Sequence, residues 1–336
     1  MLSDNRSLEE RMDQRYAIGR GAGERTRCLL FLLLFLSGCS GFRTGESPDS
    51  QPLLGQGREF VVWMLSDIQP ETPAERELFE QAVADVNDHV TQVDMGVIAG
   101  DLMKSHSRDE DFAWFLNTRK RSKVRTWYEI AGNHDVRSEP LFHRYFPRPA
   151  FYSVTFGNIL WLLLSDELPS SETEISDEGF AWWRDMVLAN QDRIIITVSH
   201  AQLQHSGLLG SFVASRRIAR SKRFERVLKE ARVAVWASGH THLPQGLPGT
   251  VSFQNALGGT CFVNVSAINT SLFANSQSRF LYFREGSDRL LIRSRNHSQG
   301  RFDTALDVIV PLDKPFVFSD QEPFSSSAPP VDAQLQ

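Results

Sequence analysis

The chain is poor in cysteine. Its 336 residues hold three, Cys28, Cys39 and Cys261, and no Cys-x-x-Cys pair. A zinc ribbon or a dithiol redox centre is excluded, because both need paired thiols. Cys261 stands in the apolar run Thr260-Cys261-Phe262-Val263 with no activating neighbour in sequence, so it reads as a small buried apolar residue. Long basic runs are also missing, and the formal net charge is -5. Nucleic acid as a partner is excluded on that ground, since its binding draws on clustered Lys and Arg. No internal repeat is visible. The stretch Leu29 to Leu36 is about half the ~20 apolar residues that a transmembrane helix needs. What is present is ordinary for a globular protein: 41% apolar and 23% charged residues. The length permits one large domain or two.

The N-terminus reads as an address. Arg20, Arg25 and Arg27 precede the apolar stretch, and Ser37, Gly38 and Cys39 follow it. A basic region, a short apolar core and small residues make a secretory signal, here residues 1–38. Leu36-Ser37-Gly38-Cys39 resembles the bacterial lipoprotein cleavage box, which implies a lipid on Cys39 and attachment to a membrane. Ser40 follows rather than Asp, which by the same resemblance implies the outer membrane, facing the periplasm, if the cell is Gram-negative. Residues 39–58 then form the lipidated cysteine and a Gly-, Ser- and Pro-rich tether. Residues 59–312 are expected to be one catalytic domain, and 313–336 a disordered tail.

Helical spacing of apolar residues predicts helices over Pro73–Thr91, Glu110–Arg119, Ser176–Asn190 and Arg223–Ala231. Their aromatics read as core. Short apolar runs predict strands at Phe151–Ser153, Asn158–Leu164, Thr260–Val265, Arg279–Arg284 and Leu290–Arg293. Strands alternate with helices early and dominate late, which fits an α/β sandwich of two sheets covered by helices.

Five further apolar runs stop at residues able to hold a metal ion. Phe60 to Leu65 leads to Asp67 and Gln69. Met95 to Ala99 leads to Gly100-Asp101. Trp127 to Ala131 leads to Gly132-Asn133-His134-Asp135. Ile194 to Val198 leads to His200. Val233 to Ala237 leads to Gly239-His240-Thr241-His242. Open α/β folds keep their chemistry at such strand ends. Mn, Fe and Zn accept imidazole and carboxylate together, and two ions about 3.5–4 Å apart can clamp a phosphoryl displacement. Asp135 is placed to orient His134 or to hold its proton. Lys104, His106, Arg137 and His205 follow motif residues on loops expected to ring the site.

In this order the motifs resemble the calcineurin-like metallophosphoesterase superfamily, over about residues 59–300. The resemblance implies a four-layer αββα sandwich of two mixed sheets flanked by helices. It implies a dinuclear centre: Asp67 and His242 on the first metal, Asp101 bridging, and Asn133, His200 and His240 on the second. His134 would be the general acid or transition-state stabiliser. The departure is Gln69, where the pattern has His. An amide oxygen is a poorer ligand for borderline-soft metals, so Mn²⁺ or Mg²⁺ is expected ahead of Fe or Zn. An Asp-x-Gln opening is itself similar to a subset of the superfamily. The purple acid phosphatase branch fits poorly, because Lys104 stands where its tyrosine ligand would be.

The expected function is metal-dependent hydrolysis of a phosphate mono- or diester by a metal-activated water. The alternative is a non-catalytic metal-binding or interaction lipoprotein with a degenerate first site.

Overall fold

The first strand shows how the layers arise. In β1 (Glu59–Leu65) Phe60, Val62 and Met64 point to one core, while Val61, Trp63 and Leu65 point to another. A strand alternates its side chains between faces, so a run that is apolar on both faces must lie between two packed layers. The computed structural model describes residue 54 and residues 56–167, 173–269, 275–319 and 325–326. The expected signal segment and Cys39 lie outside the described residues. Among those described, no helix is long and apolar enough to cross a membrane.

The chain proceeds through α1 (Pro73–His89), β2 (Met95–Ala99), α2 (Asp109–Lys120), β3 (Trp127–Ile130), α3 (Leu141–Tyr145), β4 (Phe151–Phe156) and β5 (Ile159–Leu164). Then come α4 (Asp177–Ala189), β6 (Ile194–Ser199), α5 (Lys222–Leu228), β7 (Val235–Ser238), β8 (Val251–Gln254) and β9 (Thr260–Asn264). The described chain closes with β10 (Gln277–Arg284), β11 (Arg289–Asn296), β12 (Arg301–Pro311) and the short β13 (Ser325–Ser326). One sheet has the order β12-β11-β10-β1-β2-β3, the other β13-β4-β5-β6-β7-β9-β8. Both are mixed. β1, β2 and β3 run parallel, as do β5, β6, β7 and β9.

Three cores separate four layers. The middle one, with Phe60, Trp161, Val198 and Phe283, lies between the sheets. The second packs Phe79, Phe112 and Phe115 of α1 and α2 on the first sheet. The third packs Trp183 and Phe224 of α4 and α5 on the other sheet. This is the expected αββα sandwich, and the helical aromatics are core. Two buried indoles bring their N–H groups to a partner, Trp63 to Ser278 Oγ at 2.8 Å and Trp236 to Ser199 Oγ at 2.8 Å. Cys261 is a buried free thiol, pushed up to about 12 by burial, as its sequence setting predicts.

Capping explains where the helices begin. Thr72 and Glu75 form a reciprocal box around Pro73, the first helical residue of α1, an arrangement that satisfies donors no helical carbonyl can reach. Ser176 Oγ accepts from Gly179 N–H at 3.0 Å to start α4.

The domain extends past the expected boundary at 312. Phe316 is fully buried in the inter-sheet core, and Arg58 lies 4.0 Å over the Phe318 ring. Residues 313–318 therefore belong to the fold rather than to a tail. Their two aromatics supply the apolar area that the polar residues around them conceal in the sequence.

Candidate metal centre

Parallel strands deliver their loops to the same edge, and here two sheets deliver to one place. Asp67 follows β1, Asp101 follows β2 and Asn133 follows β3. His200 follows β6, and His240 and His242 follow β7. Backbone bonds knit the loops together. Asp67 N–H reaches Gly100 O at 3.1 Å, and Ile68 N–H reaches Asp101 O at 2.9 Å. The sheets join through Asp67 Oδ2, which accepts from His240 N–H at 2.9 Å.

Two glycines are demanded by crowding. A Cβ at Gly132 would lie 2.3 Å from Asp101 Oδ1, and one at Gly239 would lie 1.9 Å from Ser66 Oγ. Real atoms do not approach so closely, so Gly-Asn-His and Gly-His-Thr-His need their glycines for space.

Three of the expected donors converge. One donor atom each from Asp101, His200 and His240 falls within 4.8 Å of the others. His200 Nε2 is 3.2 Å from Asp101 Oδ2. Carbonyls fix both imidazoles: His200 Nδ1 lies 2.8 Å from Ala99 O, and His240 Nε2 lies 2.9 Å from Ser215 O. A carbonyl only accepts, so those nitrogens carry the protons. The opposite nitrogens, His200 Nε2 and His240 Nδ1, then face each other at 3.1 Å. This is the backing that metal-ligating histidines use to set their tautomer. Two imidazole nitrogens beside a carboxylate invite a cation between them.

Asn133 supports the same reading. Its Oδ1 is buried and has no hydrogen-bond partner among the described residues, and so is Gln69 Oε1. An unsatisfied buried acceptor costs ~1–3 kcal/mol; ligation of an ion offsets that cost. The donor set fits divalent metal ions. The first half-site is also assembled. Asp67 Oδ1 is 2.9 Å from His242 Nε2, and Gln69 Nε2 is 2.9 Å from the same nitrogen.

The electrostatics agree. Burial alone would raise the Asp101 carboxyl, but His200, His134 and His240 outweigh it and hold the group well below its ordinary value. Burial likewise opposes Asp67, where His242 prevails and lowers it. Burial would lower His200, yet the charge of Asp101 lifts it far above its usual range. A metal ion bound at Nε2 would displace that proton and meet the same negative field. His240 is pushed down to about 4, by burial and then by the charge of His200, which keeps it a lone-pair donor at neutral pH.

His134 stands at the rim, half-buried, with its backbone N–H on Asp101 Oδ1 at 2.9 Å. Burial lowers its imidazole and Lys104 adds to that, against Asp101. Asp135 does not orient it, contrary to the sequence expectation. The fully buried Asp135 carboxyl accepts from the N–H groups of Leu102, Met103 and Gly132 at 3.1, 2.8 and 2.9 Å. It ties the two loops together. Burial and then Asp101 push this carboxyl up to about 8, against three backbone donors. The partner of the imidazole is Ser105, whose Oγ is 2.8 Å from Nδ1.

Ser105 and Ser215 escaped the sequence reading because neither belongs to a motif; only folding brings them to the histidines. Lys104 pairs with Glu71 at 2.5 Å and His205 with Glu225 at 3.1 Å, so both have partners of their own. Glu167 is structural, with Oε1 accepting from Ser176 N–H and Oγ–H. Asp166 is buried beside the centre and is pushed up to about 7, chiefly by burial.

The family model described as calcineurin-like phosphoesterase matches residues 60–244. Among solved structures, a dimetal phosphatase from Danio rerio is 12% identical, with a TM-score of 0.60 over 76% of this chain and 99% of that one. A purple acid phosphatase from yellow lupin seeds is 16% identical, with a TM-score of 0.57 over 78% of this chain and 55% of its own. GAP50, the anchor in the inner membrane complex of Plasmodium, is 11% identical, with a TM-score of 0.55 over 76% and 90%. At such identities the likeness is one of fold. No curated protein matches. The family model covers more than half of the sequence and every strand end that carries a candidate ligand, and on that ground the chain belongs to the calcineurin-like phosphoesterase family, hydrolases of phosphoric ester bonds.

Proposed function

We propose that this protein hydrolyses a phosphate mono- or diester at a dinuclear metal centre. The observation that carries the reading is the pair His200 Nε2 and His240 Nδ1, 3.1 Å apart, beside the unpartnered Asn133 Oδ1. Asp67, Gln69 and His242 would hold one ion and Asn133, His200 and His240 the other, with Asp101 between them. When bound, divalent ions supply Lewis acidity and lower the pKa of water enough to make a nucleophile near neutral pH.

The chain's own residues do the rest. Asp67 and Asp101 remain ionised and set the charge of the site. Ala99 O and Ser215 O hold the two imidazoles in their ligating tautomers. Ser105 steadies Nδ1 of His134, leaving Nε2 to hand a proton to the departing alkoxide. Such positioned proton transfer contributes ~10²–10⁴ in rate. Asp135 keeps the His134 loop on the Asp101 loop.

The test sets p-nitrophenyl phosphate against bis-p-nitrophenyl phosphate with wild type and His134→Ala. The variant should lose ~10²–10⁴ of turnover on the preferred ester. Wild-type rates in the variant would remove His134 from the mechanism. No turnover on either ester by metal-loaded wild type would favour the non-catalytic reading, whose support is Gln69.

A further inference from the structure

Six large apolar side chains are exposed among the described residues, and three of them share one loop: Leu209, Phe212 and Val213, at 37%, 69% and 39%. Single exposed apolar residues are common and carry no message. This group is set apart by its attachment. The loop connects β6 to α5 and rests on the ligand loop after β7. Ser215 O holds His240 Nε2 at 2.9 Å, and Arg216 Nη1 reaches His240 O at 3.4 Å. Gln202 Nε2 bonds Thr241 Oγ1 at 3.2 Å. A Cβ placed on Gly210 would touch Thr241 Cγ2 at 3.4 Å. Phe212 and Val213 thus project into solvent within three residues of an atom that backs a metal ligand.

The same loop carries charge of one sign. Arg216 is exposed and forms no ion pair among the described residues. Arg217 follows it and donates Nη1–H to Phe212 O at 3.3 Å. A guanidinium next to a cation-binding centre suits phosphate oxygens, and uncovered phenyl and isopropyl groups beside it suit hydrocarbon.

We propose that residues 209–217 form a substrate-recognition loop. Arg216 meets the phosphate and Phe212 and Val213 meet an alkyl or acyl chain, so the substrate class is an amphiphilic phosphate ester. The inference rests on the phosphoesterase reading and names the substrate for the same site. Contiguity with the reactive centre and the match of charge favour a substrate chain over a protein partner as the occupant.

The test is binding rather than turnover. Full-length protein loaded with Mn²⁺ is titrated by calorimetry with octylphosphonate and with methylphosphonate, without detergent. Wild type should bind the octyl compound at least ~10-fold more tightly, which corresponds to burying about two methylene groups. The double variant Phe212→Ser, Val213→Ser should lose that preference, and Arg216→Ala should weaken both phosphonates alike. Equal wild-type affinities, or a preference that survives the double variant, would overturn the proposal. So would a wild-type dimer that the double variant abolishes while octylphosphonate binding stays unchanged, because a second copy would then be the occupant. Hydrolysis of p-nitrophenyl phosphate and of bis-p-nitrophenyl phosphate by the same samples separates the two claims. Turnover without a chain-length preference overturns the loop alone. A preference without turnover supports the loop and overturns the phosphoesterase reading.

Discussion

A left-handed backbone is costly for a residue with a Cβ, yet Asp67, Asp101, His240 and His242 adopt φ of 55°, 53°, 68° and 50°. Each costs on the order of 1–3 kcal/mol. Bonds from Asp67 and Ile68 to Gly100 and Asp101 hold the first two in place, and the bond from His240 N–H to Asp67 Oδ2 holds the third. Residue type and order made the ligands legible, because few sequences place Asp, Gly-Asp, Gly-Asn-His-Asp, His and Gly-His-Thr-His after apolar runs. Tautomer control was not legible, since Ala99 and Ser215 act through carbonyls that every residue has. Nor was the role of Asp135, whose neighbour in sequence is His134 but whose bonds run to backbone N–H groups. At this scale we propose that Gln69 sets the choice of metal. Its side chain reaches His242 Nε2, so Gln69→His should bind Zn²⁺ more tightly by calorimetry. Unchanged affinity would mean that Gln69 does not face the ion.

Elements were read well where apolar periodicity is strong and badly where one face is wet. Helices over Pro73–His89 and Asp177–Ala189 fall within two residues of their expected bounds. β12 and β8 passed unread, being half-exposed strands at sheet edges with little alternation to find. A polar network fixes α1 to β11. Asp85 of α1 is buried against Arg295, with a 2.8 Å bond from Nε, and against His297 Nδ1 at 2.7 Å. His297 Nε2 continues to Ser278 Oγ at 2.7 Å. The order Ser, His, Asp resembles a hydrolytic triad, but all three residues are buried and α1 covers them, so the network is structural. Asp85→Ala leaves a buried guanidinium unpaired and should cost ~3–5 kcal/mol in urea unfolding. A loss below ~1 kcal/mol would contradict the role. Burial would raise Asp85, but His297 and Arg295 hold it below its ordinary value; its contribution is therefore present above the unfolded pKa and lost as pH falls below ~4. Burial lowers His297, so the unfolded chain takes up a proton first and stability also declines below ~6.5. Wild type should lose stability in urea unfolding as pH falls below ~6.5, and a flat profile down to pH ~4 would contradict these shifts.

At the scale of the whole molecule, the layered order was legible because every layer leaves an apolar face in the sequence. The segment 313–318 was not, since Phe316, Val317 and Phe318 make an apolar run too short to announce an element. Attachment is a separate matter from the fold. We propose that Cys39 carries a lipid and that the residues after it tether the domain to the cell envelope, on the strength of the basic, apolar and small-residue sequence before it. Cys39→Ala should move the protein from the membrane to the soluble fraction of lysed cells. Persistent sedimentation with membranes would contradict lipidation.

The central claim is that the strand ends hold metal ions and that the ions drive phosphoester hydrolysis. Metal-stripped protein is titrated with Mn²⁺ while bound metal and p-nitrophenyl ester hydrolysis are followed in the same samples. Turnover should rise from the baseline as ions bind. It should stay there in Asp101→Ala, whose metal affinity falls by ~100-fold or more. His134→Ala should bind metal as wild type does and still turn over poorly. Hydrolysis at the full rate in stripped protein, or in Asp101→Ala, would contradict the account.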